Sequence, residues 1–532
     1  MRDSEMRIPL NVHPPSQLNT QFAILHKNNN ITLPRYANIV CLNTISIAYY
    51  EGICITRVID ARGSSVGVLI GHPIDLDSRR MVENTLVLSR ELPAPAVDAG
   101  AQPDRARAPV IQTEFATFAP RITRPDALDA LIEEEIYRLG GPFLFVLDCC
   151  SERRIYLDAC GSMSIVYDPA ARVAASSAGA LLDRESYAAR FDQALFDHLN
   201  IAGSGWAPSG MTAHRGILRL LVNHYLDLDS WSQVRHWPTV PVVETSDPVE
   251  AIRVVTHAAR AGIDALREAG PTALTLTAGS ETRLLLAACR DIAEDLEFVT
   301  IDAADTSLDA IQATNLAEKF GLRHTRLPAI ISTETQRQEW MAQTGHCASG
   351  AASRLFSTLI SLEGRIYCLV GGLGGEIGRG FFWRPTDRAD TPITTSTLIA
   401  RMGLPRDKSL ERATETWLQA LLPCDAFLTL DLAYIELRMG PWAYAAAYTS
   451  PNLLQVSPLV SRRSFSAMLS LPPDFRASNR LITDGIRLNW PELLSLPINK
   501  YGDYRDYFVK IRRILRDPRV VSRWIRKRFG GG

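Results

Sequence analysis

Short β-type apolar runs fill the first part of the chain. They fall at Gln21–Leu25, Ile39–Leu42, Ile45–Tyr50, Cys54–Ile59 and Val66–Ile70, with turn chemistry at Asn28-Asn29-Asn30 and Ala61-Arg62-Gly63. Leu92 to Pro109 holds four prolines, many alanines and little apolar pattern, which predicts an exposed, mobile loop. Asp126–Leu139 reads as a helix between Pro125 and Gly140-Gly141. Strands are then expected at Gly141–Asp148, Arg154–Asp158 and Ile165–Asp168, with further short apolar runs at Val173–Ser177 and Ala180–Leu182. From Pro248 the pattern changes. Asp247 or Ser246 can cap a helix running to about Ala269. Apolar strands at Ala273–Thr277, Glu297–Ile301, His324–Leu327 and Tyr367–Val370 then alternate with helical segments, one beginning at Arg283 and one ending at Phe320 before Gly321. The expected fold class is α+β followed by α/β, the second part a doubly wound parallel sheet with its ligand at the carboxyl ends of the strands.

Two turns carry the candidate chemistry. The first, Thr277-Ala278-Gly279-Ser280-Glu281-Thr282, lies between a strand and a helix, the geometry that aims free backbone N–H groups at an anion. Gly279 permits close approach, and Ser280 and Thr282 add hydroxyl donors. A carboxylate in a phosphate cradle repels its ligand, so Glu281 makes sense there mainly as a Mg²⁺ ligand. No Gly-Lys-Ser/Thr follows and the three-glycine dinucleotide spacing is missing. The bland alternative is an ordinary strand-turn-helix of an α/β core. The second turn, Gly371 to Gly380, has six glycines in ten residues, which no simple core needs. It also holds Glu376 and Arg379, the latter a phosphate or carboxylate clamp or else a surface ion pair.

In this order the segments resemble the asparagine synthetase family. Thr277–Thr282 is similar to its Ser-Gly-Gly-x-Asp-Ser pyrophosphate loop, with only Gly279 identical. Gly371–Gly380 is similar to its G-x-G-x-D-E-x-x-G-G motif, with Glu376 in the aspartate's place and Ile377 in the glutamate's. The nearest likeness is the connector, G-I-L-R-L-L-V-N-H-Y-L-D-L from Gly216 to Leu228 followed by Arg235-His236-Trp237-Pro238, with Val222 where the family has proline. Gly141, Phe143, Asp148, Asp158, Gly161 and Tyr167 resemble the family's amino-terminal domain.

The resemblance implies an Ntn-hydrolase-like β-sandwich over residues 1–205, a connector at 206–245 and an ATP-pyrophosphatase-type synthetase domain at 246–532. It implies ATP and Mg²⁺ as cofactors. Pyrophosphate would lie on Thr277, Ala278, Gly279, Ser280 and Thr282, with Gly372, Gly374 and Gly375 alongside; adenine would meet Val299, Thr300 and Ile301. Glu281 and Glu376 would be the metal ligands, and Lys500 and Arg379 the catalytic cations.

The family's glutaminase needs an amino-terminal cysteine whose free amine acts as base. Residue 2 is Arg2 and the first cysteine is Cys41, so the domain is read as a scaffold, as in β-lactam synthetases and lasso-peptide cyclases. Leu454 and Leu373 stand where β-lactam synthetases have their glutamate and tyrosine, and leucines cannot act as a base. Tyr434 and Glu436 lie nearby in sequence and are the alternative for that base, but read first as a helix surface. The activity implied is an AMP-forming amide ligase that adenylates a carboxylate and joins it to a substrate amine, in a narrower form lasso-cyclase-like. The alternative is a catalytically silent binding or scaffold relative.

Composition adds exclusions. A formal charge of −1, with 46% hydrophobic and 22% charged residues, suggests no polyanion partner in bulk. No apolar run reaches the length of a membrane span, so no membrane partner is expected. Nine cysteines without a Cys-x-x-Cys pair, Cys149-Cys150 among them as buried thiols, fit a reducing cytoplasm. His214, His224 and His236 have no metal-ligand spacing and read as structural. The stretch from Lys510 to Arg528 holds nine Lys or Arg and one Asp between apolar residues. It reads first as an amphipathic helix docked on its own domain, with peptide, acidic lipid or RNA as the alternatives. The expected substrate is a small molecule or peptide, including a precursor peptide; nucleic acid is disfavoured and an oligomer is compatible.

Overall fold

The computed structural model describes residues 21–27, 29, 38–92, 111–112, 117–119, 127–304, 306–348, 350–421, 423–448, 452–508 and 511. The proline-rich stretch after Leu92, Asp305, and the basic stretch from Lys510 apart from Ile511 lie outside them. Contacts group the chain into two compact units. The larger joins Met1–Thr272 with Ile330–Leu481, and the smaller joins Ala273–Ala329 with Ile482–Gly532. The fold is mixed α/β, with antiparallel and parallel sheets.

In the larger unit, a six-stranded antiparallel sheet runs in the order Leu218–Arg219, Val166–Asp168, Val173–Ala175, Phe22–His26, Ile45–Tyr49, Asn38–Cys41. A nine-stranded sheet is centred on Ser65–Gly71, Phe143–Cys149, Glu152–Leu157, His224–Asp227 and Ser232–Arg235. Phe143–Cys149 is buried along its whole length, so both of its faces are covered. Phe143, Phe145, Leu147 and Cys149 pack with Leu128, Leu131, Ile132 and Ile136 of the helix Ala127–Tyr137. The opposite face reaches the six-stranded sheet through Asp148. Its Oδ2 accepts from the backbone N–H groups of Thr44 (2.6 Å) and Ile45 (3.0 Å), and its Oδ1 from the Thr44 hydroxyl (2.9 Å).

Of the apolar run Ala180–Leu182, Ala180 and Leu181 belong to the helix Ala178–Leu181, and Leu182 is its extended C-cap. Ser177 caps it by accepting from the Ala180 N–H. Pro248–Ala269 is helical, and Asp247 caps it through the N–H groups of Val249 and Glu250. Cys149 is buried, whereas Cys150 is only half-buried, and neither is in a disulfide.

Glu436 and Tyr434 correct the expectation of a helix surface: both are buried, Glu436 fully. They lie in the π-helix Tyr434–Met439, whose extra residue per turn shifts the faces that a 3.6-residue period predicts. Arg235 donates to both Glu436 oxygens (2.6 and 2.8 Å), Asn223 to Oε1 (2.7 Å) and the Trp417 indole to Oε2 (2.6 Å). Asn223 Oδ1 in turn accepts from Arg462 (2.6 Å), whose guanidinium lies 4.1 Å from the Trp237 ring centroid. Burial alone would raise the Glu436 pKa, but Arg235 and Asn223 outweigh it and hold the carboxyl below its ordinary value. Glu436→Gln leaves the buried Arg235 without a counter-charge. It should lower the unfolding free energy by about 3–5 kcal/mol, measured by urea denaturation.

The smaller unit pairs Arg323–Pro328, Glu297–Asp302 and Thr272–Thr275 as neighbouring parallel strands. The helices Ser280–Ala288 and Ser307–Phe320 follow two of them, and Gly321 closes the second in the left-handed conformation (φ 66°).

Three buried histidines of the larger unit are held below the ordinary histidine range, chiefly by desolvation: His214 to about 3, His224 to about 4 and His346 to about 4. Because these folded values lie below the unfolded value of 6.5, the stability they contribute is complete above pH 6.5. It is lost as pH falls toward 4, where the unfolded chain binds the extra protons. Asp158 and Asp431, raised to about 6 by burial, act oppositely over part of this window, so the informative comparison changes a single histidine. The His214 ring packs against Tyr187 in a tilted arrangement, with centroids 4.1 Å apart, and neither of its ring nitrogens has a hydrogen-bond partner. His214→Phe should therefore fold, and the slope of its stability on pH between 6.5 and 4 should be shallower by up to about 1.4 kcal/mol per pH unit. Urea midpoints across pH measure it.

Candidate functional site

The Thr277–Thr282 turn belongs to the smaller unit and leads into the helix Ser280–Ala288. Gly279 is the N-cap, extended at φ −71° and ψ 163°, and no side chain caps the helix. The first-turn N–H groups thus lack the hydroxyl or carboxylate that usually closes such an end. The turn is braced from inside. Thr277 Oγ1 lies 2.8 Å from Thr282 Oγ1 and accepts from the Gly279 N–H (3.0 Å). Asp309 Oδ1, from the next helix, accepts from the Ala278 N–H (2.9 Å). A methyl group placed on Gly279 would lie 2.9 Å from Thr277 Oγ1 and 3.9 Å from both Glu281 Oε2 and Thr282 Oγ1. One carboxylate oxygen and two hydroxyls therefore surround the space that glycine leaves open. Glu281 is half-buried in the first helical turn, where a negative charge is also favoured by the helix dipole.

The carboxy-terminal piece of the same unit is fastened to this turn. The Asn499 N–H donates to Ala278 O (2.8 Å), and its side-chain amide to Ser280 Oγ (3.4 Å). Lys500 follows immediately and is exposed. Arg283, fully buried, supports the arrangement by donating to the carbonyls of Leu493 (3.3 Å), Leu496 (2.7 Å) and Pro497 (3.1 Å). It makes no ion pair with a carboxylate of the described residues, and burial lowers its pKa to about 10. Of the proposed adenine-binding residues, Val299 and Thr300 are buried. The Thr300 hydroxyl bonds to Leu276 O and to His324 Nε2 (2.9 Å), and Val299 O accepts from the Leu276 N–H (2.9 Å). The Ile301 carbonyl accepts from the Thr306 hydroxyl (2.7 Å).

The glycine-rich turn belongs to the larger unit, after the strand Cys368–Val370. Glu376 Oε2 accepts from the Gly374 N–H (2.9 Å), and Gly374 has φ 106°, which only glycine adopts without strain. Gly375 is buried and Gly372 half-buried. Arg379 lies with its guanidinium 5.5 Å from the Phe381 ring centroid. Leu373 and Leu454 are both half-buried. Thr277–Thr282, Val299–Ile301 and Lys500 thus share one unit, while Gly372–Arg379 lies in the other.

Among the described residues, no group of three or more His, Cys, Asp or Glu side chains is arranged to hold a metal. A Mg²⁺ bound with nucleotide needs only one or two carboxylates besides phosphate oxygens and water, and the Glu281, Thr277 and Thr282 oxygens are hard donors of the right kind. Compared with protein-family models and with curated proteins, the chain matches none.

Sequence reasoning did not assign Asp309, Asn499 or Arg283 to the site. Arg283 left one signal: it is a charged residue at the head of an apolar helix, which calls for a buried set of acceptors. Arg283→Met removes three hydrogen bonds to the 493–497 segment. It should increase amide hydrogen exchange over residues 490–500 while the Glu297–Asp302 strand stays protected.

Proposed function

We propose that the chain is an ATP-dependent, AMP-forming amide ligase of the asparagine synthetase type, acting without glutamine hydrolysis. The observation that carries this reading is the uncapped helix start at Gly279, where Glu281, Thr277 and Thr282 oxygens face the gap left by the missing side chain. A carboxylate oxygen of the substrate attacks the α-phosphorus of ATP and pyrophosphate leaves. The substrate amine then attacks the acyl carbon and AMP departs. Adenylation turns a poor leaving group into a good one, and the protein supplies orientation and charge neutralisation. The first-turn N–H groups of Ser280–Ala288 hold the pyrophosphate, and Gly279 lets it approach the backbone. Mg²⁺, bound through Glu281, would neutralise phosphate charge. Asn499 keeps Lys500 beside the turn, where its ammonium balances charge building on the α-phosphate. The substrate is a small molecule or a precursor peptide, the latter in a lasso-cyclase-like reaction.

A second reading has its own support. The Ala278 and Gly279 N–H groups are already satisfied by Asp309 and Thr277, and Leu373 and Leu454 provide no base. On that reading the chain is a silent relative that binds a partner.

The test is ATP–pyrophosphate exchange with candidate carboxylates, beside calorimetry of ATP·Mg²⁺ binding. Exchange that falls about 10²–10³-fold in Lys500→Ala, with ATP still bound, supports the ligase. Gly279→Val should abolish ATP binding, because its Cβ would lie 2.9 Å from Thr277 Oγ1 and its branches fill the gap; circular dichroism checks that the variant is folded. An intact protein that binds no ATP·Mg²⁺ at millimolar concentration sinks the ligase and leaves the silent relative.

A further inference from the structure

The glycine-rich turn of the larger unit ends at Gly380, which has φ 58° and at which a Cβ would overlap the Trp383 ring. The next residue, Phe381, is left 41% exposed, with its ring 4.6 Å from that of Tyr434. Tyr434 opens the π-helix Tyr434–Met439, and Arg438 follows four residues later on it. The Arg438 guanidinium lies 5.3 Å from the Phe381 ring centroid, 5.7 Å from that of Tyr434 and 5.9 Å from that of Trp206. Each ring is close enough to attract a cation, and all four residues belong to the larger unit.

The rings attract the charge of Arg438, but they are not ordinary hydrogen-bond acceptors, and a guanidinium carries five N–H donors. Among the described residues no carboxylate, carbonyl or hydroxyl accepts from Arg438. Although the residue is half-buried, none of its nitrogens is sealed from solvent. The buried Arg235, Arg401 and Arg476 of the same unit each have a carboxylate partner. A cation held in an aromatic wall with its donors open is arranged for an anion from solution. Arg379, 5.5 Å from the same Phe381 ring, adds positive charge to this face while keeping interactions of its own. One open guanidinium matches a single negative charge, and its fork fits a carboxylate through two parallel hydrogen bonds. The exposed part of the Phe381 ring offers a flat apolar surface for a second ring beside that carboxylate.

We propose that Arg438, Phe381, Tyr434 and Trp206 form a binding site for a carboxylate that carries an aromatic ring. The carboxylate takes the Arg438 donors and the ring stacks on Phe381. The π-helix that presents Arg438 is held from its other side by the Glu436 network, so the cation is positioned before any ligand arrives. The site lies wholly within the larger unit and does not depend on whether the chain is a ligase.

The experiment is calorimetric titration of the full chain, without nucleotide, with phenylacetate, acetate, phenyl phosphate and phenethylamine. Phenylacetate should bind at least about tenfold more tightly than each of the other three. Arg438→Met keeps the length and apolar bulk of the side chain and removes its donors, and it should weaken phenylacetate about tenfold or more. Phe381→Leu should weaken phenylacetate while leaving acetate unchanged. Thermal unfolding checks that each variant is folded. Phe381→Leu, at a half-exposed position, carries the comparison if Arg438→Met does not fold. The proposal is overturned if phenylacetate binds no more tightly than acetate, or if phenyl phosphate or phenethylamine binds more tightly than phenylacetate. It is equally overturned if either folded variant binds phenylacetate as the parent does.

Discussion

The Glu436 carboxylate sits where water cannot reach it, and each of its oxygens receives two donors. A buried charge survives only when its partners make up for lost hydration. Here the partners come from positions far apart in sequence: Asn223, Arg235 and Trp417, with Arg462 joined through Asn223. Each of them depends on the others, since a missing donor would leave a lone pair or a guanidinium unsatisfied. Apolar replacements of equal volume can be as stable as such a network, so its contribution lies in geometry rather than in raw stability. It locks the 223–237 stretch, the π-helix and the helix Arg462–Leu469 into a single register within the larger unit.

Much of the secondary structure is legible because local signals agree with one another. The Pro248–Ala269 helix has a capping aspartate, a proline in its first turn and a long apolar stripe, and it begins and ends where those signals fall. The early strands likewise lie within a residue or two of their apolar runs. Failures occur where a non-local or unusual feature overrides period counting. The helix-surface reading of Tyr434 and Glu436 fails because Asn223, Arg235 and Trp417, all on other elements, hold the Glu436 carboxylate inside. Ala180 and Leu181 have good helix propensity, and the Ser177 hydroxyl caps the short helix that holds them.

At the candidate site the sequence shows the strand, the glycine and the hydroxyls, yet not their bracing. Asp309 lies 31 residues from Ala278 and Asn499 lies 219 from Ser280, separations that no periodicity encodes. Those same contacts frame the chemical choice. A turn whose N–H groups are partly satisfied internally is preorganised, which helps a catalyst, but it has fewer donors left for phosphate than a bare cradle. The decisive surface is therefore the first turn of the following helix, whose donors no side chain caps.

Each compact unit is assembled from two stretches of chain, the smaller from Ala273–Ala329 and Ile482–Gly532. That layout constrains biosynthesis. Domains generally fold as units, amino-terminal portions first, as the ribosome releases them. Here the strands and helices of the first stretch emerge long before the segment carrying Leu493, Pro497 and Asn499. During the translation of roughly 150 intervening residues, the guanidinium of Arg283 has no carbonyls to receive it and must stay hydrated. The nascent smaller unit therefore waits, incomplete, until its second stretch has been made, and a message truncated before codon 493 would yield a chain unable to close it.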